Sequence, residues 1–334
     1  MRHVKRLAQR SVFRRVVLLC VCTLPWLVGC AQPSAELPPL KVVATIAPLA
    51  DWARQVGQAR VTVTQIVPIG VNPRDYKLGE RDQRALAEAD ILLYNGLDLE
   101  PWLRAAIPDA QAQQLVILEL SRFIGNMQVG GNGRLPFAER GGNSQQGGDE
   151  PGNVDVARWS PYLWLDPGPG MAQHAVSLIA DTFTRVDSDH LLVYRRNAEK
   201  YNGELENLDS WVRREIRGWP RTRIGTSDTL VIQTLDYGWF YFAQRYGINL
   251  RMIDPELAGT KAPINAAPLF VDQFVRPVEY MELLSLRQPD GVLKPLGQDN
   301  YLQLMRDNVN TISQGMRRVA HAHPTRTQLP YETR

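Results

Sequence analysis

Residues able to make bonds or hold a metal are few along the 334-residue chain, which has five histidines and three cysteines. His174 and His190 fall on expected helices, where a surface or capping role suffices for each. His321-Ala322-His323 could chelate a metal weakly as an i, i+2 pair, but no acidic residue stands beside it. There is no Gly-x-Ser-x-Gly turn, no phosphate-cradling glycine loop and no nucleophilic cysteine in a reactive setting. The paired carboxylates Asp149 and Glu150 sit in a Gly-rich stretch that cannot preorganise them. The chain therefore reads as a binder and not an enzyme. An aromatic cluster, Tyr237, Trp239, Phe240, Tyr241 and Phe242, could stack on an organic ligand. At mixed spacing beside a strand it reads as core.

Whatever site exists must be positioned by an alternation of apolar runs and helical stretches. Val42–Ile46 reads as a buried strand, followed by Pro48 at a helix start. Val61–Val67, Ile91–Tyr94 and Leu115–Leu120 are further strands, with a polar helix over Glu80–Asp90. A helix is expected over Met171–Thr184. Beyond the next run, Leu230–Leu235, Ile248–Ile253, Pro268–Phe274 and Gly291–Leu293 read as strands of a second lobe. Strand and helix in alternation argue for an α/β fold with parallel sheets.

The strongest helical signal spans Ser188–Arg217. Leu191, Tyr194, Ala198, Tyr201, Leu205, Leu208, Val212 and Ile216 recur at spacings of three and four, one continuous apolar stripe. Asp187 or Ser188 can cap it, and Gly218-Trp219-Pro220 ends it. Residues 124–158 interrupt the alternation with nine of the 25 glycines and read as a surface insertion.

The N-terminus has a different character. Six basic residues and no acid lie within residues 1–29, and Val16–Gly29 is an apolar run too short to span a bilayer. It closes on Leu27-Val28-Gly29-Cys30, which resembles the lipobox of bacterial lipoproteins. That resemblance implies cleavage before Cys30 and lipid attachment to its sulfur, with residues 30–40 as a tether. Cys20 and Cys22 leave with the signal, so the mature domain would hold no free thiol and no disulfide. The whole chain carries 38 basic and 35 acidic residues. Removal of the signal leaves 32 against 35, a net charge of −3 that excludes a nucleic-acid binder of the usual basic kind.

Several segments, taken in order, resemble the zinc/manganese-specific solute-binding lipoproteins of bacterial ABC importers. They are Val43-Ala44-Thr45-Ile46-Ala47-Pro48-Leu49-Ala50-Asp51, Ile66-Val67-Pro68-Ile69-Gly70-Val71-Asn72-Pro73, and Ala89 through Leu103 with its Leu99-Glu100-Pro101-Trp102 core. Trp164-Leu165-Asp166-Pro167, Phe242-Ala243-Gln244-Arg245-Tyr246-Gly247 and Tyr301 through Asn308 continue the series, so that it runs from Lys41 to Met316. The resemblance implies two α/β lobes (41–186 and 219–334) of parallel sheet flanked by helices, joined by one long rigid linker helix (187–218). It also implies a ligand cleft between the lobes, zinc or manganese as cargo, an ABC permease as partner, and an extracytoplasmic monomer held to a bacterial membrane by its lipid.

That family holds its metal with three histidines and a carboxylate on loops facing the cleft. The corresponding positions here are Arg74 after Asn72-Pro73, Tyr162 before Leu163-Trp164, Asp236 before Tyr237-Gly238-Trp239, and Lys294 before Pro295-Leu296. The insertion 124–158, where many zinc members carry a His-rich loop, has no histidine. Arginine has no lone pair to give, and lysine only when neutral. A divalent ion 4 Å from a fixed cation at an effective dielectric of 20 meets repulsion of about 8 kcal/mol, which one carboxylate at Asp236 cannot offset twice. Three readings follow. Arg74 or Lys294 takes the place of the ion and pairs with Asp236, locking the lobes. Alternatively Arg74, Lys294 and the Tyr162 hydroxyl receive a small anion or zwitterion whose amine meets Asp236. In the third, the fold serves a non-transport lipoprotein with an adhesion, scaffolding or accessory role.

Overall fold

In the computed structural model the described residues are 38–107, 114–123, 160–224, 227–234, 238–252, 269–272, 291–294 and 300–322. Pro39–Arg334 forms a compact unit distinct from Met1–Pro38. Cys30, the 124–158 insertion, Asp236, Tyr237 and His323 lie outside the described residues. Among those described, no helix is long and apolar enough to cross a membrane.

The first lobe is a four-stranded parallel sheet built from β1 (Leu40–Ala44), β2 (Val61–Gln65), β3 (Ile91–Tyr94) and β4 (Val116–Glu119), in the order β2-β1-β3-β4. Register pairs Leu40 with Val61, Val42 with Ile91 and Ile91 with Val116. The central strands β1 and β3 are apolar on both faces because helices or loops cover both. Val42, Val43, Ile91, Leu92 and Leu93 are accordingly buried. Helix α1 (Ala47–Gly57) starts with Pro48 in its first turn, and α2 (Glu80–Ala87) is shorter than the polar run predicted. Helix α3 spans Ala172–Val186.

Helix α4 (Leu191–Arg217) is 27 residues long, so it reaches about 40 Å at 1.5 Å per residue. The predicted stripe is its buried face, with Tyr194, Ala198, Tyr201, Leu205, Leu208, Val212 and Ile216 all inside. One polar residue, Asp209, is buried with them. The expected N-terminal cap takes a different form. His190 occupies the cap position without a side-chain cap bond, after a short 3-10 turn over Ser188–His190. Asp187 instead accepts from His190 Nδ1 at 2.9 Å and Tyr194 Oη at 2.6 Å.

The second lobe contains β5 (Thr222–Ile224), β6 (Ser227–Thr234), α5 (Phe240–Tyr246), β7 (Ile248–Met252), β8 (Leu269–Asp272), β9 (Gly291–Leu293) and α6 (Tyr301–Ala322). Strands β6–β9 are parallel as expected. The addition is β5, which pairs antiparallel with the start of β6. Its three residues are too few for a periodic signal. Trp239, Phe240, Tyr241 and Phe242 are buried and serve as core, with the Trp239 and Phe242 rings edge to face at 5.0 Å. One apolar core includes residues of both lobes and the inner face of α4.

Candidate functional site

In open α/β sheets the loops at the C-terminal strand ends form the ligand crevice. Of the four positions that the resemblance gives to metal ligands, three lie among the described residues, each on such a loop: Arg74 beyond β2, Tyr162 beyond β4, and Lys294 directly after β9. A shallow pocket of about 20 Å³ opens beside the first two. Its walls are largely apolar, from Ile46, Val67, Ile69, Val71, Pro73 and Trp164.

Arg74 sits in a 3-10 turn, Pro73–Asp75, fixed by the Asn72 carboxamide. Asn72 Oδ1 accepts from the Arg74 amide at 3.1 Å, and Asn72 Nδ2 donates to Asp75 at 3.0 Å. Trp102 Nε1 donates to the Pro73 carbonyl at 2.7 Å, so the backbone is held from a second element. The Arg74 side chain is exposed and has no partner among the described residues. Tyr162 is half-buried, with its ring edge-on to Trp164 at 5.2 Å. Its turn is anchored by Asn95 Nδ2, which donates to the Pro161 carbonyl at 2.7 Å.

Lys294 pairs with an acid of the following helix, while Asp236, the partner that one reading gave it, lies outside the described residues. Its ammonium lies 3.1 Å from Asp307 on α6, an exposed pair. Its backbone is clamped in both directions by Asn308: the Lys294 amide donates to Oδ1 at 2.7 Å and its carbonyl accepts from Nδ2 at 2.9 Å. A β-strand end stapled to the following helix is reason enough for this arrangement. No cluster of three or more His, Cys, Asp or Glu able to hold a metal occurs among the described residues. His174, half-buried on α3, faces the Phe123 ring at 6.4 Å.

Two buried carboxylates stand behind this surface, and sequence reading passed over both. Glu100 is 4% exposed and accepts from Thr45 Oγ1 at 2.7 Å and from the amides of Asn95 and Gly96 at 3.1 and 3.2 Å. Burial pushes its carboxyl up to about 7, against the pull of those three donors. Gly96 has φ +84°, and a Cβ there would overlap Ser121 and Glu119, so only glycine lets the loop close over Glu100.

Asp166 follows the Tyr162 turn. Arg245 Nε, on α5 of the other lobe, is 3.0 Å from its Oδ1 and 2.9 Å from Asp209 Oδ1 on α4. Tyr246 Oη adds a bond to Asp209 at 2.7 Å. Burial pushes Asp166 up to about 6, opposed by the Arg245 charge and the Gly168 amide. For Asp209 burial also pushes upward, but the Arg245 and Tyr246 donors outweigh it and hold the carboxyl low. The second tie between lobes is Tyr301, at the start of α6. Its hydroxyl donates to the Trp164 carbonyl at 2.5 Å and its amide to Asp51 Oδ2 at 3.1 Å.

Residues 42–315 match the family described as zinc-uptake complex component A, periplasmic. The chain is 25% identical over 299 residues to the manganese-binding lipoprotein MntA of Halalkalibacterium halodurans, covering 83% of this chain and 88% of the relative. It is 27% identical over 230 residues to the MntA of Bacillus subtilis, covering 67% and 65%. Among solved structures, the periplasmic zinc-binding protein TroA of Treponema pallidum superposes with a TM-score of 0.65 at 20% identity, over 84% of this chain and 99% of that one. With two α/β lobes, a long helix buried along one face and the match across 42–315, the chain belongs to the ZnuA family of ABC-importer substrate-binding proteins.

Proposed function

We propose that this chain is the extracytoplasmic solute-binding lipoprotein of a metal-type ABC importer in which the usual metal-ligand set has been replaced. Residues 1–29 serve as the signal, Cys30 carries the lipid, and a permease in the same membrane receives the monomeric protein. The lobes are 41–186 and 219–334, with 187–218 linking them. The chain binds and hands over a solute without transforming it.

The observation that carries this reading is the identity and place of Arg74, Tyr162 and Lys294. They lie on strand-end loops at the positions where the resemblance leads one to expect metal ligands, and none offers the imidazole or carboxylate that a zinc or manganese ion takes. Arg74 is exposed without a described partner, which favours a small anion or zwitterion as ligand. Lys294, turned toward Asp307, supports this less than Arg74 does. A second reading, a non-transport lipoprotein with lobes held shut, is favoured by the Asp166–Arg245–Asp209 tie.

Calorimetric titration of tag-free, chelator-treated protein with zinc, manganese and a panel of small anions tests the proposal. Anion binding lost in Arg74→Ala supports a transport receptor of altered specificity. Stoichiometric micromolar zinc or manganese binding that survives Arg74→Ala refutes the replaced-site reading. Binding of nothing, with lobes that stay closed in scattering, selects the non-transport role.

A further inference from the structure

Glu100 joins two parts of the cleft surface through bonds that pass beneath it. Its Oε1 accepts from the Thr45 hydroxyl at 2.7 Å, and Thr45 immediately precedes Ile46 in the wall of the shallow pocket. Oε1 also accepts from the Asn95 amide, and Oε2 from the Gly96 amide. Asn95 passes the connection on, because its Nδ2 donates to the carbonyl of Pro161, the residue before Tyr162. The end of β1 and the Tyr162 turn are thus tied through one carboxylate and one carboxamide.

The loop around Glu100 is strained. Gly96, Leu97 and Asp98 are all left-handed, at φ +84°, +56° and +55°, a conformation that leucine and aspartate adopt only when held in it. Asn95 Oδ1 is buried and has no hydrogen-bond partner among the described residues. Nor does any described cation pair with Glu100. Glu119 on β4 is a second acid, and it takes up Arg122 and Tyr94, each at 2.6 Å. Asp98 and Arg104, on either side of Glu100 in its own segment, are exposed and pair with one another. Asp166, beyond the Tyr162 turn, is engaged by Arg245. A buried carboxylate without a counter-charge takes up a proton more readily than one in water.

We infer that Glu100 is a proton-sensitive positioning residue for the cleft: when its carboxyl gains a proton, the Asn95 carboxamide turns to it, releases the Pro161 carbonyl and lets the Tyr162 turn shift. The inference rests on the reading above that this turn borders the ligand cleft. An ionised carboxylate only accepts, so its three donors hold the loop as it stands. The proton comes from solvent and goes to Oε2, which has one donor where Oε1 has two. The protonated group must then donate, and Asn95 Oδ1 is the orphaned acceptor of the same loop. Drawing that oxygen to Glu100 carries Nδ2 of the same carboxamide off Pro161. The turn is anchored while Glu100 is ionised and freed once it is protonated, so cleft geometry follows pH around neutrality.

The test uses the full chain with 4-fluorophenylalanine in place of Tyr162, read by fluorine NMR across neutral pH. That ring keeps the edge-on contact with Trp164 and has no hydroxyl to titrate. The expected resonance moves with pH through one midpoint near 7. Glu100→Gln, which cannot titrate, should abolish the movement. Thr45→Val removes a donor to the ionised carboxyl and should raise the midpoint by about one pH unit, which decides the matter even if Glu100→Gln does not fold. Asn95→Ala should silence the fluorine signal while infrared absorption still shows a carboxyl that titrates. A resonance that stays fixed with pH in the unsubstituted background overturns the inference. So does a midpoint near 7 that survives Glu100→Gln or ignores Thr45→Val. Proton-linked movement at position 162 in a protein that binds no small anion by calorimetry supports the inference and overturns the transport reading instead.

Discussion

Arg245 of the second lobe reaches across to Asp166 of the first, with 3.0 Å between guanidinium nitrogen and carboxylate oxygen, both side chains largely shielded from water. The same nitrogen is 2.9 Å from Asp209 on the linking helix, so a single cation joins three elements. Space for it exists because residue 168 is glycine: a Cβ there would overlap the guanidinium.

Breaking a buried charge pair from one side leaves unpaired charge inside, at about 3–5 kcal/mol. Arg245→Ala should therefore lower unfolding stability by that order, measured by denaturant titration. Gly168→Ala forces the guanidinium aside and should cost about 1–3 kcal/mol in the natural protein. In the Arg245→Ala background it should cost much less, because the overlapping group is gone. Equal costs in both backgrounds would show that the close approach is not what requires glycine.

Tyr301 ties α6 to the first lobe through its hydroxyl and the Trp164 carbonyl, and its ring packs edge-on against Trp52 at 5.2 Å. Tyr301→Phe keeps the ring contact and orphans a buried carbonyl. The expected loss is about 1–3 kcal/mol, read as a lowered denaturation midpoint with an unchanged slope.

The buried Glu100 makes stability depend on pH with a definite sign. Its folded carboxyl titrates near 7, against an ordinary value of 4.5. Between those values the folded state holds a proton that the unfolded state has released. Its contribution is full below about pH 4.5 and is lost as pH rises through 7, for a total of about 3 kcal/mol. Glu100→Gln should flatten this part of the curve, so stability measured from pH 5 to 8 should diverge between the two proteins. Parallel curves would mean that Glu100 stays ionised throughout. Asp187 and Asp209, whose carboxyls are held low, act in the opposite direction and at lower pH.

Much of the framework was legible because it is written in local periodicity. The stripe from Tyr194 to Ile216 is the buried face of α4, and the apolar runs at Ile91–Tyr94 and Gly291–Leu293 are strands. Polar groups inside the core leave no such trace. Asp166 and Arg245 are 79 positions apart, and nothing local in either segment announces the pairing. Glu100 stood within a segment read for resemblance alone; its burial follows from a loop that Gly96 lets fold back. Lys294 shows the same limit. Nothing near it in sequence announces that Asp307, one helical turn and more beyond the start of α6, takes its ammonium.

That engagement bears on how far the site lies from a metal site. The Lys294–Asp307 pair is exposed, with side chains 55% and 25% accessible, and such a pair contributes at most about 1 kcal/mol. Arg74 is exposed and has no described partner to lose. Replacing them should therefore cost little stability while changing the cleft's chemistry. Arg74→His, Tyr162→His and Lys294→Asp together remove two cations, each opposing a divalent ion by about 8 kcal/mol at 4 Å and an effective dielectric of 20. With Asp236 they supply two imidazoles and two carboxylates, a set suited to four-coordinate zinc. The triple variant should bind zinc stoichiometrically by calorimetry, whereas Arg74→His alone should not, because with Asp236 it supplies only one imidazole and one carboxylate. A triple variant that folds with natural stability yet takes no zinc would mean these loops do not converge on one site.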